Sequence, residues 1–271
     1  MPEGLNLEPG ELKQSRTPSC VVALKTLSGP QKNFLREFKS YTELRLVGSN
    51  FEVYGLTQNT TNKEYLMVFQ YANRGSLHKF LLSNFRGLNW KSKLKQLVDI
   101  SENLKKVHEA GFSSCSTKHC CHKTALNNFE QSNKIKYVHG DFHSGNILQN
   151  QYINGNLISY ITDLGLSRKK DETNLEDSIY GVLPYVAPEA LNRRPYTIAA
   201  DIYSFGVIST GRPPHYDIEY DESLAIKILM DYVLNLLKGT PVCYTKLANQ
   251  RMDANHSNRP SASYIYDELS I

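Results

Sequence analysis

The sequence predicts an α+β fold in two lobes: a small strand-rich lobe with one helix, then a larger, mainly helical lobe. Three observations predict it. The chain has 271 residues, 40% of them hydrophobic, enough for one large domain or two small lobes around a real core. Up to about residue 72, runs rich in β-branched and aromatic residues alternate with turn formers, and one segment has helical period. From residue 73 to 271 the pattern turns mainly helical.

Taken in order, residues 1–19 hold three prolines and two glycines without a sustained period, so they read as a loose N-terminal segment or degenerate first strands. "CVVALKTL" (Cys20–Leu27) reads as a strand, and Lys25 lies inside it. "QKNFLREFKSYTEL" places Phe34, Phe38 and Tyr41 on one helical face; at ~100° per residue Glu37 borders that face, while Glu43 points away. "FEVYGL" and "EYLMVFQY" are two further strands joined by the turn former "TQNTTN". Beyond "NRGSL", the run "WKSKLKQLVDISENLKKVHEAG" carries Leu94, Leu97, Val98, Ile100, Leu104 and Val107 over about half its circumference, with Gly111 at a helix stop. Residues 111–136 are polar and read as an insertion. "YVHGDFHSGNIL" (Tyr137–Leu148) is a polar turn between apolar flanks, "LISYIT" is a strand that ends at Asp163, and "DIYSFGVIST" is a helical piece.

Composition narrows the function classes. Net charge is +4, from 31 basic and 27 acidic residues that intermingle, as in "SRKKDE", so neither a nucleic-acid nor a membrane footprint is expected. No basic segment followed by an apolar run opens the chain, and no stretch is long enough to span a bilayer, which reads as a cytoplasmic protein. Five cysteines, three of them crowded at Cys115, Cys120 and Cys121, fit a reducing compartment better than a disulfide framework.

Lys25 on a strand, Glu37 on the inner edge of a helix, Asp141 and Asn146 in one turn and Asp163 at a strand end form an ordered set. That set resembles the protein-kinase family. "VALK" resembles its lysine strand, "HGDFHSGN" its catalytic loop, "DLG" its metal-binding turn and "APE" the end of its activation segment; "DIYSFG" and "NRP" complete the series. The wording of "ANRGSL", "GVLPYVAPEAL" and "NRPSA" is most similar to the tyrosine-kinase-like serine/threonine kinases, including fungal ones. The resemblance covers roughly residues 20–269 and implies a two-lobed protein-kinase-like domain over 20–271.

The resemblance also implies roles. Phosphoryl transfer needs charge neutralisation, an in-line nucleophile and little covalent work by the protein. Lys25, held by Glu37, would grip the phosphates of ATP; Asn146 and Asp163 would hold Mg2+; Asp141 would orient the acceptor hydroxyl and take its proton. The adenine would meet the main chain of Gln70–Ala72, with Ala23 and Leu148 above and below it and Phe69 at the back. Arg259 would pair with Glu189, and Asp201 would brace the catalytic loop. The implied partner is a protein substrate, in signalling. A pseudokinase serving as a binding module and a small-molecule phosphotransferase, suggested by the "HGD" triplet, are the alternatives; "YVAPEAL" and "DIYSFG" argue against the second.

Four departures from the family pattern stand out. No GxGxxG precedes Lys25, only Gly4 and Gly10. After Asp201, "SFGVI" leads directly to "STGRPP", about one helical turn short of the family's usual apolar run, so a weakened larger lobe is expected. The insertion offers Cys115, His119, Cys120, Cys121 and His122 as zinc ligands, although a solvated loop with reduced thiols fits their spacing better. Gly140 stands where many kinases carry arginine, and His143 where serine/threonine kinases often carry lysine.

Overall fold

The computed structural model describes residues 19–26, 31–46, 48–110, 137–169, 181–211 and 242–270. Gly4, Gly10, the Cys/His insertion and the candidate phosphate acceptors Thr173, Ser178 and Tyr180 lie outside the described residues.

The smaller lobe is a three-stranded antiparallel sheet with one helix beside it. Strands β1 (Val22–Thr26), β2 (Val53–Gln58) and β3 (Tyr65–Gln70) run in the order β1-β3-β2. β3 is central, and its register sets Ala23 opposite Phe69 and Lys25 opposite Met67. Helix α1 (Gln31–Leu46) buries Glu37, Ser40, Tyr41 and Leu44, positions that recur at helical spacing. Tyr41 meets Phe69 edge-on at 5.0 Å, Phe51 stacks on Phe69 at 5.7 Å, and Phe51 meets Tyr160 of the larger lobe at 5.4 Å. This aromatic group joins the lobes through apolar contact directly behind the site.

Two helices open the larger lobe. Ser76 caps α2 (Leu77–Asn84) by accepting from the Lys79 N–H, and Asn89 caps α3 (Trp90–Glu109) by accepting from the Ser92 N–H. α3 buries Leu97, Ile100, Leu104 and Val107 as its periodicity predicts, together with Gln96, Ser101, Asn103 and His108. Its polar members are paired across the core: the Asn103 amide donates to the Ser159 carbonyl at 3.1 Å, and His108 meets Asp201 at 2.9 Å. Strands β4 (Tyr137–Val138) and β7 (Arg168–Lys169) pair, as do β5 (Ile147–Gln151) and β6 (Leu157–Ile161). The two ladders hold the polar turn and the Asp163 turn side by side.

The C-terminal part carries α4 (Pro188–Leu191), α5 (Ile198–Ser209), α6 (Val242–Arg251) and α7 (Ala262–Leu269). α5 is buried from Ala200 to Ile208, as a helix at the hub of a lobe must be. It stops at Ser209, whose carbonyl accepts from the Tyr244 hydroxyl at 2.6 Å, and Gly211, with φ +79°, lets the Phe85 ring close in. A cavity of about 140 Å³ remains at this end, lined by Leu77, Leu81, Trp90, Leu97, Ile208 and Ser209 among others. Among the described residues, α5 thus ends against Tyr244, Phe85 and a cleft partly open to solvent.

Candidate active site

Lys25 reaches the site from the middle of β1. Its ammonium donates to Glu37 Oε1 at 2.7 Å and to Asp163 Oδ1 at 2.8 Å, so one cation bridges the smaller lobe's helix and the larger lobe's turn. Burial lowers the Lys25 pKa, but the carboxylates of Asp163 and Glu37 outweigh it and raise the pKa above the ordinary value. Glu37 is the buried member, at 9% side-chain exposure against 47% for Asp163. The Lys25–Asp163 contact is therefore well solvated and easily exchanged.

The Asp163 turn is strained and well held. Asp163 adopts a left-handed backbone, φ +61° and ψ +64°, uncommon for a residue with a side chain. Its N–H donates to the Tyr41 hydroxyl at 2.7 Å, and Arg36 of α1 donates to the Gly165 carbonyl at 2.9 Å. Burial, with the Glu37 charge next in weight, drives the Tyr41 pKa far above the ordinary value, so the hydroxyl stays protonated. Tyr41 follows Glu37 by four residues, so the two share a helix face and grip successive parts of the site. Sequence reading gave Tyr41 an apolar role only, and no signal marked Arg36. Glu43, read as pointing away, accepts a hydrogen bond from the Tyr137 hydroxyl: it faces away from Lys25 but docks on the larger lobe.

The polar turn is braced from beneath. Asp201, fully buried on α5, accepts from the His139 N–H at 2.8 Å and from the Gly140 N–H at 3.2 Å, besides meeting His108. His139 Nδ1 accepts from the Asp141 N–H, which leaves Nε2–H to donate to the Thr162 carbonyl at 3.0 Å. Burial lowers the His139 pKa, so this bridge is a neutral imidazole. The Asn146 carbonyl accepts from both the Thr162 N–H and its hydroxyl, locking the Asp141 turn to the strand that delivers Asp163.

Within the turn, the Asn146 amide donates to the Asp141 carbonyl at 2.9 Å and to Asp141 Oδ2 at 3.2 Å. Asp141 Oδ1 is buried without a hydrogen-bond partner. Burial pushes the Asp141 carboxyl up, but His143, His139 and Asn146 more than offset this and hold it below the ordinary carboxylate value. Because its NH2 faces Asp141, Asn146 keeps its amide oxygen as an acceptor. That oxygen and the Asp163 carboxylate are the hard donors that Mg2+ takes alongside phosphate oxygens, so the residues present suit that ion. Among the described residues, no cluster of three His, Cys, Asp or Glu side chains could hold a metal by itself.

Around the expected adenine position, Ala23 and Leu148 are half-buried against the core, and Phe69 is buried at its back. The Gln70 N–H is taken by the Glu52 carbonyl at 2.9 Å, which leaves only its carbonyl side for a base. Farther out, Arg259 holds Glu189 through two bonds of 2.7 and 2.8 Å.

Comparison with known proteins bears on the chain as a whole. The sequence model described as protein tyrosine and serine/threonine kinase matches residues 6–269. A probable LRR receptor-like serine/threonine-protein kinase of Arabidopsis thaliana is 28% identical over 197 residues, 69% of this chain and 16% of its own length. Ephrin type-B receptor 3 of Danio rerio is 27% identical over 273 residues, 96% of this chain and 49% of its own. Inhibitor of nuclear factor kappa-B kinase subunit alpha of Danio rerio is 31% identical over 145 residues, 53% of this chain and 16% of its own. The chain thus spans less than half the length of each of these relatives. None of its described helices is long and apolar enough to cross a membrane.

Proposed function

This chain belongs to the protein tyrosine and serine/threonine kinase family, and on that premise we propose that it transfers the γ-phosphoryl group of ATP, with Mg2+, to a serine or threonine hydroxyl of a protein. One observation carries the reading: Lys25, Glu37 and Asp163 form one ion network across the lobes, beside a turn in which Asn146 fixes one oxygen of Asp141. The serine/threonine preference rests on relatives named as such kinases.

Mg2+ bound with the nucleotide neutralises charge on the transferring phosphates. Lys25, with its pKa raised, remains a full cation for the α- and β-phosphates, and Glu37 keeps it oriented. Asp163 would leave its solvated contact with Lys25 to serve the cation with Asn146. Asp141 presents Oδ1, the oxygen that no other group occupies, to the acceptor hydroxyl. A carboxylate held below its ordinary pKa is a weak base, so Asp141 orients the hydroxyl first and takes its proton late in the transfer. The Ala72 N–H, with no hydrogen bond among the described residues, would meet the adenine.

A pseudokinase that binds partners without transfer is the second reading, favoured by the lack of GxGxxG before Lys25. Binding of Mg-ATP by the purified chain, then transfer of labelled phosphate to a generic protein substrate, separates the two. Asp163→Asn should abolish transfer, because the other carboxylate beside Asn146, that of Asp141, is committed to the acceptor hydroxyl and cannot also serve the cation. Wild-type rates in that variant would sink the assignment.

A further inference from the structure

His143 stands next to the proposed base and has no part in the mechanism above. Its Nδ1 accepts from the Gly145 N–H at 3.0 Å. A nitrogen that accepts cannot carry a proton, so the ring is the neutral tautomer with hydrogen on Nε2. That Nε2 lies 3.6 Å from Asp141 Oδ1, the buried carboxylate oxygen with no partner. The separation is too long for a full hydrogen bond, though short enough for the Nε2–H dipole to favour the Asp141 carboxylate. Oδ1 is buried here, so a guest reaches it only as its neighbours give way; an oxygen then placed about 2.7 Å from Oδ1 and about 2.9 Å from Nε2 would close a triangle at ordinary hydrogen-bond lengths.

The ring is built in rather than adventitious. A Cβ on Gly145 would lie 2.6 Å from His143 Cε1 and 2.8 Å from Nδ1, so Gly145 is the residue that lets the imidazole occupy this place. Gly145 has no positive φ that would otherwise explain a glycine. On the other side the ring faces Tyr185 at 5.9 Å, and Ser144 ties the turn to the Tyr185 hydroxyl at 2.8 Å.

We propose that His143 is a further catalytic residue, whose Nε2–H donates to the oxygen of the acceptor hydroxyl while that hydroxyl donates its own hydrogen to Asp141 Oδ1. The inference rests on the kinase reading above. The hydroxyl is then held by two bonds that fix the lone pair pointing at phosphorus. In the transfer, the bond from that oxygen to the γ-phosphorus forms, the bond from phosphorus to the β–γ bridging oxygen breaks, and the hydroxyl proton passes to Asp141. His143 keeps its proton throughout. The neutral donor replaces the fixed positive charge of a lysine, so it favours an uncharged hydroxyl without drawing the anionic phosphate toward itself.

His143→Asn separates the two duties of the ring. Asparagine can still accept from the Gly145 N–H in an Asx turn, but it is too short to share a hydroxyl with Asp141. With Mg-ATP and a generic protein substrate, it should lower kcat about tenfold, leaving the ATP dissociation constant and melting temperature unchanged. Gly145→Ala, which pushes the ring aside, should reproduce the loss, and His143→Gln, a longer neutral donor, should restore part of the rate. Nitrogen-15 NMR of labelled histidine should show the His143 proton on Nε2. An active wild type with His143→Asn within twofold of it, or a proton found on Nδ1, would overturn the role of His143 alone. A wild type that binds Mg-ATP and transfers nothing overturns the kinase reading and this role together.

Discussion

Ser209→Leu should stabilise the protein by filling the space at the end of α5. The cavity there measures about 140 Å³ and is lined mainly by apolar side chains. At ~24 cal/mol per Å³ a closed void of that size would correspond to ~3 kcal/mol of forgone packing, which is the upper bound for a cleft partly open to solvent. A leucine filling about half of it would recover ~1.5 kcal/mol, or ~3–6 °C at ~2–4 °C per kcal/mol. The change removes the bond from the Ser209 hydroxyl to the Gly206 carbonyl, which is internal to the helix, and it leaves the Ser209 carbonyl for Tyr244. Leucine also favours helix more than serine does, by a few tenths of a kcal/mol. Thermal unfolding followed by circular dichroism is the assay, with saturating benzene as a second probe. An apolar void of about 150 Å³ takes up that molecule, so benzene should raise the melting temperature of the wild type but not of the variant. A lower melting temperature for Ser209→Leu, with no benzene effect on the wild type, would show that the end of α5 is already filled and refute the reasoning.

Two further outcomes follow from the site. Asp141, with its pKa below the ordinary 3.8, contributes in full above that value and is lost only as pH falls through the lower folded pKa; Lys25, raised above 10.5, contributes in full below that value and is lost only as pH rises through the higher folded pKa. As far as these two groups set the rate, kcat/KM should therefore be flat between about pH 5 and 9, and initial rates that show an Asp141 or Lys25 limb inside this window would refute the signs. The combined variant Thr173→Ala, Ser178→Ala, Tyr180→Phe should keep its transfer rate within about threefold of wild type. A hundredfold loss at unchanged nucleotide affinity would reveal a phosphate switch.

Much of the fold was legible because its period is simple. β1, β2, β3, β6 and α3 form where the sequence reading put them, β3 alternates Met67 and Phe69 into the core, α3 buries Leu97, Ile100, Leu104 and Val107 at helical spacing, and hydrogen bonds join Lys25 to Glu37 and Asp163 and Asn146 to Asp141. What stayed hidden depends on hydrogen bonds between distant residues. β5 reads as polar, "ILQNQ", yet Gln149 is fully buried because its amide donates to the Ser159 hydroxyl at 2.9 Å. Tyr41 reads as an apolar face residue because nothing local shows that its hydroxyl faces the Asp163 N–H, 122 positions away. Likewise the second contact of Lys25, with Asp163, needs both lobes in place before it exists.

Gly140 joins two consequences of one missing side chain. It has no charge to pair with a phosphate, which is why activity independent of such a phosphate is expected. It also has a backbone that other residues adopt at a cost: φ is +84°, and a Cβ there would lie 2.9 Å from the Leu166 carbonyl oxygen. An arginine in this place would carry ~1–2 kcal/mol of left-handed strain and press on the short helical turn that follows Asp163. A relative with arginine must offset both, and an ion pair with a phosphate is one means of doing so. Here neither burden exists. The Asp163 turn is already tied by the Tyr41 hydroxyl, by Arg36 at Gly165 and by the Ser167 hydroxyl, which donates to the His139 carbonyl at 3.1 Å. A turn held by three such bonds from the chain itself, and relieved of the side chain that would strain it, needs no phosphate for its own order, which is why the triple variant is expected to keep its rate.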